Sequence, residues 1–422
     1  MNGAKQVWLT LVVVLSIITG CRKKEFVHLP EGQKVPYEEV KVTLKEVLQR
    51  PEYQLFNKAW LKSNMSGIIA ANGNAPVTLL VPDNAAMRAA GLDDAGIDKT
   101  TQTALDTLLM YHTLTARVEQ QGLQSLTGNV AWRTFLLNPA YTEGLNGVGS
   151  AVSRDSMYRY RHYLGLSQKN ELIVEGKQLG TGAPVIAKDG NIWPINKVLR
   201  PATKTMLETL KDDGRFTLYL EALQMTDDLY GTLPEIDEYS VGPYLFLSTV
   251  MNATIWDIDW EECFCPIFVR GKTQRFSLFA PTDDAFRQAG LATKEDLLAL
   301  NSRTPPRFQG FTLVHFAVLD SLLGINVWGK QRQMFATSAP PIFYSNDLVP
   351  AIMNEYTVSS SFTGKTWQPF ECSKDGNGRV QLKAKGSTAE KATIIEGDIP
   401  TIQGPIHVID RLLPPPGFSF TH

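Results

Sequence analysis

The sequence predicts an α+β protein built from two copies of one domain. The first observation is a duplicated segment: residues 77–92 and 276–291 each read as a buried strand, a proline stop, a short helix and a glycine exit. Pro82 of the first copy aligns with Pro281 of the second. The second observation is the order of patterns, because each copy begins with residues at helical spacing and ends with short, glycine-bounded β-rich runs. Helices followed by strands indicate an α+β domain.

Each copy opens with a helical stripe of apolar residues. In the first copy the stripe covers 42–61, and Arg50-Pro51 divides it into two short helices. In the second it covers 205–223. Tyr53 aligns with Phe216, so 36 extra residues separate the helices from the strand motif in the second copy, and we place an insertion within 224–274. Surface loops on a retained core absorb such differences at little entropic cost.

Short strands are expected in the late part of each copy. They are predicted at 171–174, 183–187 and 192–199, and again at 380–384, 392–395 and 406–413. Before them, the segments LLMYHTL (108–114) and LVHFAV (313–318) place His112 and His315 in corresponding positions. In the closing strands Ile195 aligns with Ile409, which predicts eleven more residues between the histidine and the closing strand of the second copy.

Three motifs, each present twice and in the same order, resemble a known family. The motif Ala-Pro-Thr-Asp-x-Ala-Phe at 280–286 resembles the first signature of the fasciclin (FAS1) domain, the histidine segments resemble its tyrosine-histidine motif, and 190–201 and 404–415 resemble its closing strand. The resemblance covers nearly the whole chain after the first forty residues. It implies two tandem fasciclin-like domains at 37–201 and 202–416 and a tail at 417–422. Each domain would be a wedge-shaped β-sandwich with helices packed at one end.

The N-terminus predicts a lipid anchor. Lys5 precedes an apolar run over 7–18 that is too short to span a membrane and suits a signal peptide. Ile-Thr-Gly-Cys at 18–21 fits the lipobox of bacterial lipoproteins, so we expect a signal peptide at 1–20, lipidation of Cys21 and a tether at 21–36. The alternative is an ordinary secretory signal. Charge after Cys21 resembles the surface-export signals of Bacteroidetes lipoproteins, and the surface and periplasmic faces of the outer membrane both stay open.

Composition and motifs argue against several function classes. The formal net charge of −2 over 422 residues gives no field that would attract nucleic acid. None of the six histidines lies in a catalytic or zinc-binding motif, and we predict no enzyme, no cofactor and no metal. Cys263, Cys265 and Cys372 leave three alternatives open, namely a disulfide with Cys372, a metal site and free thiols.

Several residues of the family motifs have two alternative interpretations, one structural and one functional. His112 and His315 are expected to bond buried backbone groups, whereas the resemblance ties this motif to partner recognition. Thr282 or Asp283 is expected to cap the short helix after Pro281. In adhesion proteins of the family similar carboxylates take part in integrin-type binding, a role that we do not carry over to Asp283 because a bacterial lipoprotein has no obvious integrin partner.

Two segments are candidate contact surfaces. The insertion at 224–274 is aromatic and acidic, and Trp256, Trp260, Asp257 and Asp259 are its candidate binding residues. Aromatic rings provide contact area with few rotors, and carboxylates orient sugar hydroxyls. The alternative is a satellite core that packs the insertion onto its own domain.

A comparable but less aromatic insertion is predicted at 120–170. Within it, Tyr158 and Tyr160 alternate with Arg159 and Arg161, a combination common at interfaces. It is the second candidate surface.

Together these features predict a non-catalytic cell-envelope lipoprotein that binds a protein or glycan partner in adhesion or recognition. The alternative is a structural or accessory subunit of an outer-membrane nutrient-uptake complex.

Overall fold

Helices and strands segregate within each half of the chain, which confirms the α+β prediction. The computed structural model describes residues 40–142, 157–234, 275–309, 312–328, 342–354, 358–359, 366–367 and 369–420. Residues 41–422 belong to one compact unit. We call 41–201 the first half and 202–420 the second half. The predicted boundaries between signal, tether and domains stay predictions.

Seven helices belong to the first half and six to the second among the described residues. They are α1 (Leu44–Leu48), α2 (Gln54–Lys62), α3 (Met65–Ala71), α4 (Asn84–Ala89), α5 (Asp94–Lys99), α6 (Gln102–His112), α7 (Gln120–Gln124), α8 (Met206–Lys211), α9 (Thr217–Gly231), α10 (Asp283–Gln288), α11 (Lys294–Asn301), α12 (Val318–Gly324) and α13 (Pro350–Met353). Short 3-10 turns at Pro51–Tyr53 and Gly214–Phe216 divide the opening helices, as the sequence predicts.

The strands of the first half are β1 (Val77–Pro82), β2 (Thr113–Leu114), β3 (Val130–Thr142), β4 (Met157–Leu166), β5 (Leu172–Val174), β6 (Lys177–Gln178), β7 (Val185–Ala187) and β8 (Gly190–Ile195). They form one sheet in the order β6-β5-β4-β3-β2-β1-β8-β7. An antiparallel bridge between Gly180 and Ile195 joins the segment after β6 to β8, so the sheet curls back on itself.

The strands of the second half are β9 (Ser277–Pro281), β10 (Arg307–Gln309), β11 (Thr312–His315), β12 (Val327–Trp328), β13 (Val358–Ser359), β14 (Thr366–Trp367), β15 (Phe370–Lys374), β16 (Val380–Ala384), β17 (Ala392–Pro400) and β18 (Pro405–Ile409). Six of them form a sheet in the order β12-β9-β18-β17-β16-β15. β10 pairs with β11, and β13 with β14, in two-stranded sheets.

The same parallel strand pair, with the same register, occurs in both halves. In the first, β1 pairs in parallel with the closing strand β8, which sets Leu79 opposite Ile192. In the second, β9 pairs in parallel with β18, which sets Leu278 opposite Ile406. The aligned motifs make Leu79 equivalent to Leu278 and Ile192 equivalent to Ile406. The duplicated strand motifs therefore lie in equivalent surroundings.

The antiparallel pairs β1–β2 and β9–β12 show where the second half has more residues than the first. Thr113 in β2 pairs with Leu79, and Val327 in β12 pairs with Leu278. Thr113 and Val327 are therefore equivalent, and α12 is the equivalent of α6. The buried leucines agree with this alignment: Leu105, Leu108 and Leu109 in α6, and Leu319, Leu322 and Leu323 in α12.

This register corrects the predicted equivalence of the two histidines. His112 directly precedes Thr113, and the residue that directly precedes Val327 is Asn326. His315, in contrast, is exposed and ends the β10–β11 hairpin. The eleven extra residues therefore precede α12 and do not follow the histidine. The predicted equivalence of His315 is wrong because Leu-Val-His at 313–315 resembles the motif only locally. The spacing of the buried leucines in α12 identifies the true equivalent of α6.

Local signals explain why the shared elements form. Thr43 with Glu46, and Thr205 with Glu208, make reciprocal capping boxes at the starts of α1 and α8. After α4 and α10, Gly91 and Gly290 adopt positive φ angles of 75° and 80°, which favour glycine. The predicted glycine exits are thus the C-terminal caps of these helices.

The predicted insertion at 120–170 is wrong for most of its length. Its described part contains α7 and the long hairpin of β3 and β4, which supplies the central strands of the eight-stranded sheet. In β4 alternate residues are buried, and Tyr158, Tyr160 and His162 share that inward face. The Tyr-Arg alternation at 158–161 was the sequence signal for a strand with one buried face.

Apolar clusters lie on both sides of each sheet. In each half one cluster joins the opening helices to the central strands, and a second lies beneath the remaining strands. Ile402, from the second half, belongs to the second cluster of the first half. Phe418 and Phe420 of the predicted tail pack on the helical core of the second half. No helix among the described residues is long and apolar enough to cross a membrane.

Candidate functional site

His112 joins the central strand of the first half to the segment after its closing strand. The side chain lies at the end of α6 and is fully buried. Its Nδ1 lies 2.7 Å from the Leu80 carbonyl oxygen, and the Leu199 N–H donates to its Nε2 over 3.0 Å. A carbonyl only accepts, so Nδ1 carries the hydrogen and the ring is neutral. Burial lowers the pKa of His112 from 6.5 to about 4.

Asn326 occupies the corresponding place in the second half. Its Nδ2 donates to the Phe279 carbonyl over 2.7 Å, and Phe279 is the equivalent of Leu80. The Asn326 amide thus makes the equivalent of the hydrogen bond from His112 to the Leu80 carbonyl. The expectation of a backbone-bonding histidine is confirmed for His112 and wrong for His315. Among the described residues of the second half, His407 on β18 is a buried histidine, and its Nε2 lies 2.9 Å from the Phe343 carbonyl.

The acidic residue after Pro281 has a structural partner. Thr282 caps α10 by accepting from the Ala285 N–H, and Asp283 accepts from the Leu218 N–H at the start of α9 over 2.7 Å. Asn84, its counterpart after Pro82, accepts in the same way from the Leu55 N–H over 3.0 Å. These side chains tie the short helix to the opening helices in both halves.

Tyr158 and Tyr160 do not form an external contact surface. Only 4% and 8% of these residues are exposed. The Tyr158 hydroxyl donates to the Ile402 carbonyl over 2.5 Å, and the Tyr160 hydroxyl donates to the Ala202 carbonyl over 2.9 Å. The predicted second surface is therefore wrong as a ligand site, because the second half of the same chain covers it.

Charged and amide groups reinforce this junction between the halves. The Arg275 guanidinium lies 4.4 Å from the centroid of the Tyr158 ring and donates to the Arg159 carbonyl over 2.6 Å. The Asn129 backbone N–H donates to Asp347 Oδ1 over 2.7 Å, and its side-chain amide donates to Oδ2 over 2.9 Å. Burial raises the pKa of Asp347, and the bonds from Tyr344 and Asn129 oppose this rise.

The buried His162 pairs with the half-buried Glu175 beside the junction. His162 Nδ1 lies 2.8 Å from Glu175 Oε1, and its Nε2 lies 2.9 Å from the Tyr111 carbonyl. Both ring nitrogens are therefore engaged by acceptor oxygens of the fold. Glu175 has a φ of 51° in the turn between β5 and β6, an uncommon conformation for this residue type.

A cleft of about 470 Å³ opens where the two halves meet. Its wall includes Glu175 and Lys177 from the β5–β6 hairpin, the segment 196–200 after β8, and Asp398 from β17. The size is typical of a site for a small ligand. No local sequence signal pointed to this cleft, because its walls come from segments that lie far apart in the chain.

The remaining predicted site residues lie outside the described ranges. These are Cys21, Cys263, Cys265, Trp256, Trp260, Asp257 and Asp259. Cys372 is a buried free thiol whose Sγ lies 3.4 Å from the Leu348 carbonyl, and burial raises its pKa to about 11. Within the described residues, no cluster of three or more potential metal ligands occurs.

A family comparison identifies the first half. The family model of the fasciclin domain matches residues 51–201. This part of the chain is similar to a fasciclin domain. His112, Pro82 and the closing strand β8 all belong to it. The second half repeats the same parallel strand pair, short helix and glycine exit outside the matched range.

Comparisons with individual proteins add little. No curated protein matches the chain. Thirteen chains of solved structures match it. One is a FAS1 domain pair from the insect cell adhesion molecule fasciclin I, at 15% identity over 85% of this chain and 96% of that chain, with a TM-score of 0.29.

Proposed function

We propose that the protein is a non-catalytic lipoprotein of the cell envelope that binds a protein or glycan partner in adhesion or recognition. Its anchor is the lipidated Cys21 after a signal peptide at 1–20, and its location is the outer membrane. The observation that carries the proposal is the fasciclin domain at 51–201, a type of domain associated with cell adhesion. The spacing of basic, apolar and lipobox residues before Cys21 supports the anchor.

The state of the buried polar groups supports binding over catalysis. His112 and His407 hold backbone carbonyls in the cores of the two halves, and His162 is held by Glu175 and a carbonyl. Asp283 fixes the start of a helix. General acid–base catalysis needs a titratable group that can reach a substrate, and these groups are engaged with the fold itself.

The proposed contact residues are Trp256 and Trp260, with Asp257 and Asp259 orienting a polar group of the partner. Aromatic anchors dominate the energetics of many interfaces, so their truncation has a large effect on affinity. Mutating both tryptophans to alanine should weaken capture of the partner from cell-envelope extracts by at least about tenfold, which corresponds to about 1.4 kcal/mol. Affinity capture with quantification of bound material measures this.

The matched control is Leu298→Ala, which removes a large apolar side chain that is 56% exposed on α11. It should leave capture unchanged. Melting temperatures of all variants should stay within a few degrees of the parent. Equal capture by the parent and the Trp256/Trp260 variant would refute this contact site. Recovery of an outer-membrane transporter by both proteins would instead support the accessory-subunit alternative.

A further inference from the structure

The cleft between the halves combines features that neither half has alone. Beside it the β5–β6 turn approaches the Asp398 side chain of β17 closely: a Cβ placed on Gly176 would lie 2.3 Å from Asp398 Oδ2. Gly176 has a φ of 80°, and its neighbour Glu175 and the facing Asp398 have φ values of 51° and 57°. Uncommon backbone conformations in non-glycine residues persist only where the surroundings impose them, and they are frequent at ligand sites.

The cleft carries cations without ion-pair partners among the described residues. Lys177, Lys197 and Arg200 line it, and all three are exposed. Lys177 Nζ makes a long contact of 3.4 Å to the Asp398 carbonyl, and Arg200 donates to the Ala90 carbonyl over 3.3 Å. These contacts are to neutral carbonyls and leave the positive charges uncompensated.

The two carboxylates of the cleft are hydrogen-bonded within the fold. Glu175 is bonded to His162, and Asp398 accepts from the Ser345 N–H and from its hydroxyl. A carboxylate has about four lone-pair sites, so each retains capacity to accept from a ligand hydroxyl. With three cations against two carboxylates, the lining carries a formal net charge of +1 together with hydroxyl acceptors.

Apolar surface completes the lining. Ala86 and Ala89 from α4, and Leu199 after β8, present small or aliphatic groups to the same space. A pyranose ring has one apolar face and several hydroxyls, and a uronate adds a carboxylate at C6. We infer that the cleft binds a sugar acid, whose carboxylate is held by Lys177, Lys197 and Arg200 and whose hydroxyls donate to Glu175 and Asp398. This inference rests on the proposed binding function and narrows it to acidic glycans.

The test compares galacturonate with galactose, which differ at C6, by calorimetric titration of the full-length protein. Galacturonate should bind at least about tenfold more tightly, because hydrogen bonds to charged groups contribute about 1.5–3 kcal/mol each. The variant Lys177→Ala/Lys197→Ala should lose about tenfold in galacturonate affinity. The charge-matched control Lys99→Ala/Lys211→Ala removes two exposed lysines outside the cleft and should bind as the parent does. Raising the salt concentration should weaken galacturonate binding.

Three results would overturn the inference: equal affinity for both sugars, equal loss in both lysine variants, or inorganic phosphate binding as tightly as galacturonate. The galacturonate titration and the capture experiment with Trp256 and Trp260 can fail independently. Absence of galacturonate binding with capture still dependent on Trp256 and Trp260 refutes only the cleft. Intact galacturonate binding with tryptophan-independent capture refutes only the insertion as contact site.

Discussion

Replacing His112 by alanine should lower the free energy of unfolding of the protein by about 4 kcal/mol. The change removes partners from two buried backbone groups, the Leu80 carbonyl and the Leu199 N–H, at about 1–3 kcal/mol each, and it leaves a cavity in the core. Denaturant unfolding at pH 7.5 measures this. Thr103→Ala on the exposed face of the same helix is the control and should stay within about 0.5 kcal/mol of the parent.

The same residue predicts a pH dependence with a definite sign. The pKa of His112 is about 4 in the folded protein, against 6.5 ordinarily, so the unfolded chain binds the proton more readily between these values. Stability from the neutral ring is complete above pH 6.5 and is lost as the pH falls towards 4, by on the order of 3 kcal/mol. The variant His112→Gln, which keeps a donor and an acceptor, should lose this part of the dependence. An unchanged pH profile in His112→Gln would contradict the account.

Alanine at Gly190 or Gly404 should destabilise the protein by about 3 kcal/mol in each case. A Cβ at Gly190 would lie 2.3 Å from the Val77 carbonyl oxygen, and one at Gly404 would lie 2.3 Å from that of Phe276. Backbone must move to relieve such contacts, and overpacking of this kind costs about 1–3 kcal/mol or more. Gly404 also has a φ of 148°, which disfavours a side chain.

Gly214→Ala is the matched control, since no atom lies within 4 Å of the added Cβ. It should change the free energy of unfolding by about 0.5 kcal/mol at most. Thermal or denaturant unfolding of the three variants gives the comparison. If alanine lowered the free energy of unfolding at only one of Gly190 and Gly404, the two halves would not share this close approach of the glycine to the neighbouring strand.

Elements with local signals could be predicted from the sequence. The strand, proline, short helix and glycine of each copy form where expected, because capping residues and positive-φ glycines act over a few residues. Strand β16 has the predicted bounds 380–384. These features depend on neighbours in the chain and little on the rest of the fold.

Features that depend on residues far apart in the chain could not be predicted from the sequence. The exposed His315 lies in a motif-like run of residues, and only the leucine spacing of α12 identifies Asn326 as the core equivalent of His112. Tyr158 and Tyr160 have the chemistry of an interface, but the sequence does not say that their partner is Ile402 and Ala202 of the same chain. The cleft is assembled across the same junction.

The central claim is that the second half repeats the core of the first half, with Asn326 in the place of His112. The most direct test is the free energy of unfolding of Asn326→Ala beside that of His315→Ala. The account predicts a loss of about 2 kcal/mol for Asn326→Ala, because the buried Phe279 carbonyl loses its partner, and a change within about 0.5 kcal/mol for the exposed His315. A large loss for His315→Ala with none for Asn326→Ala would contradict it.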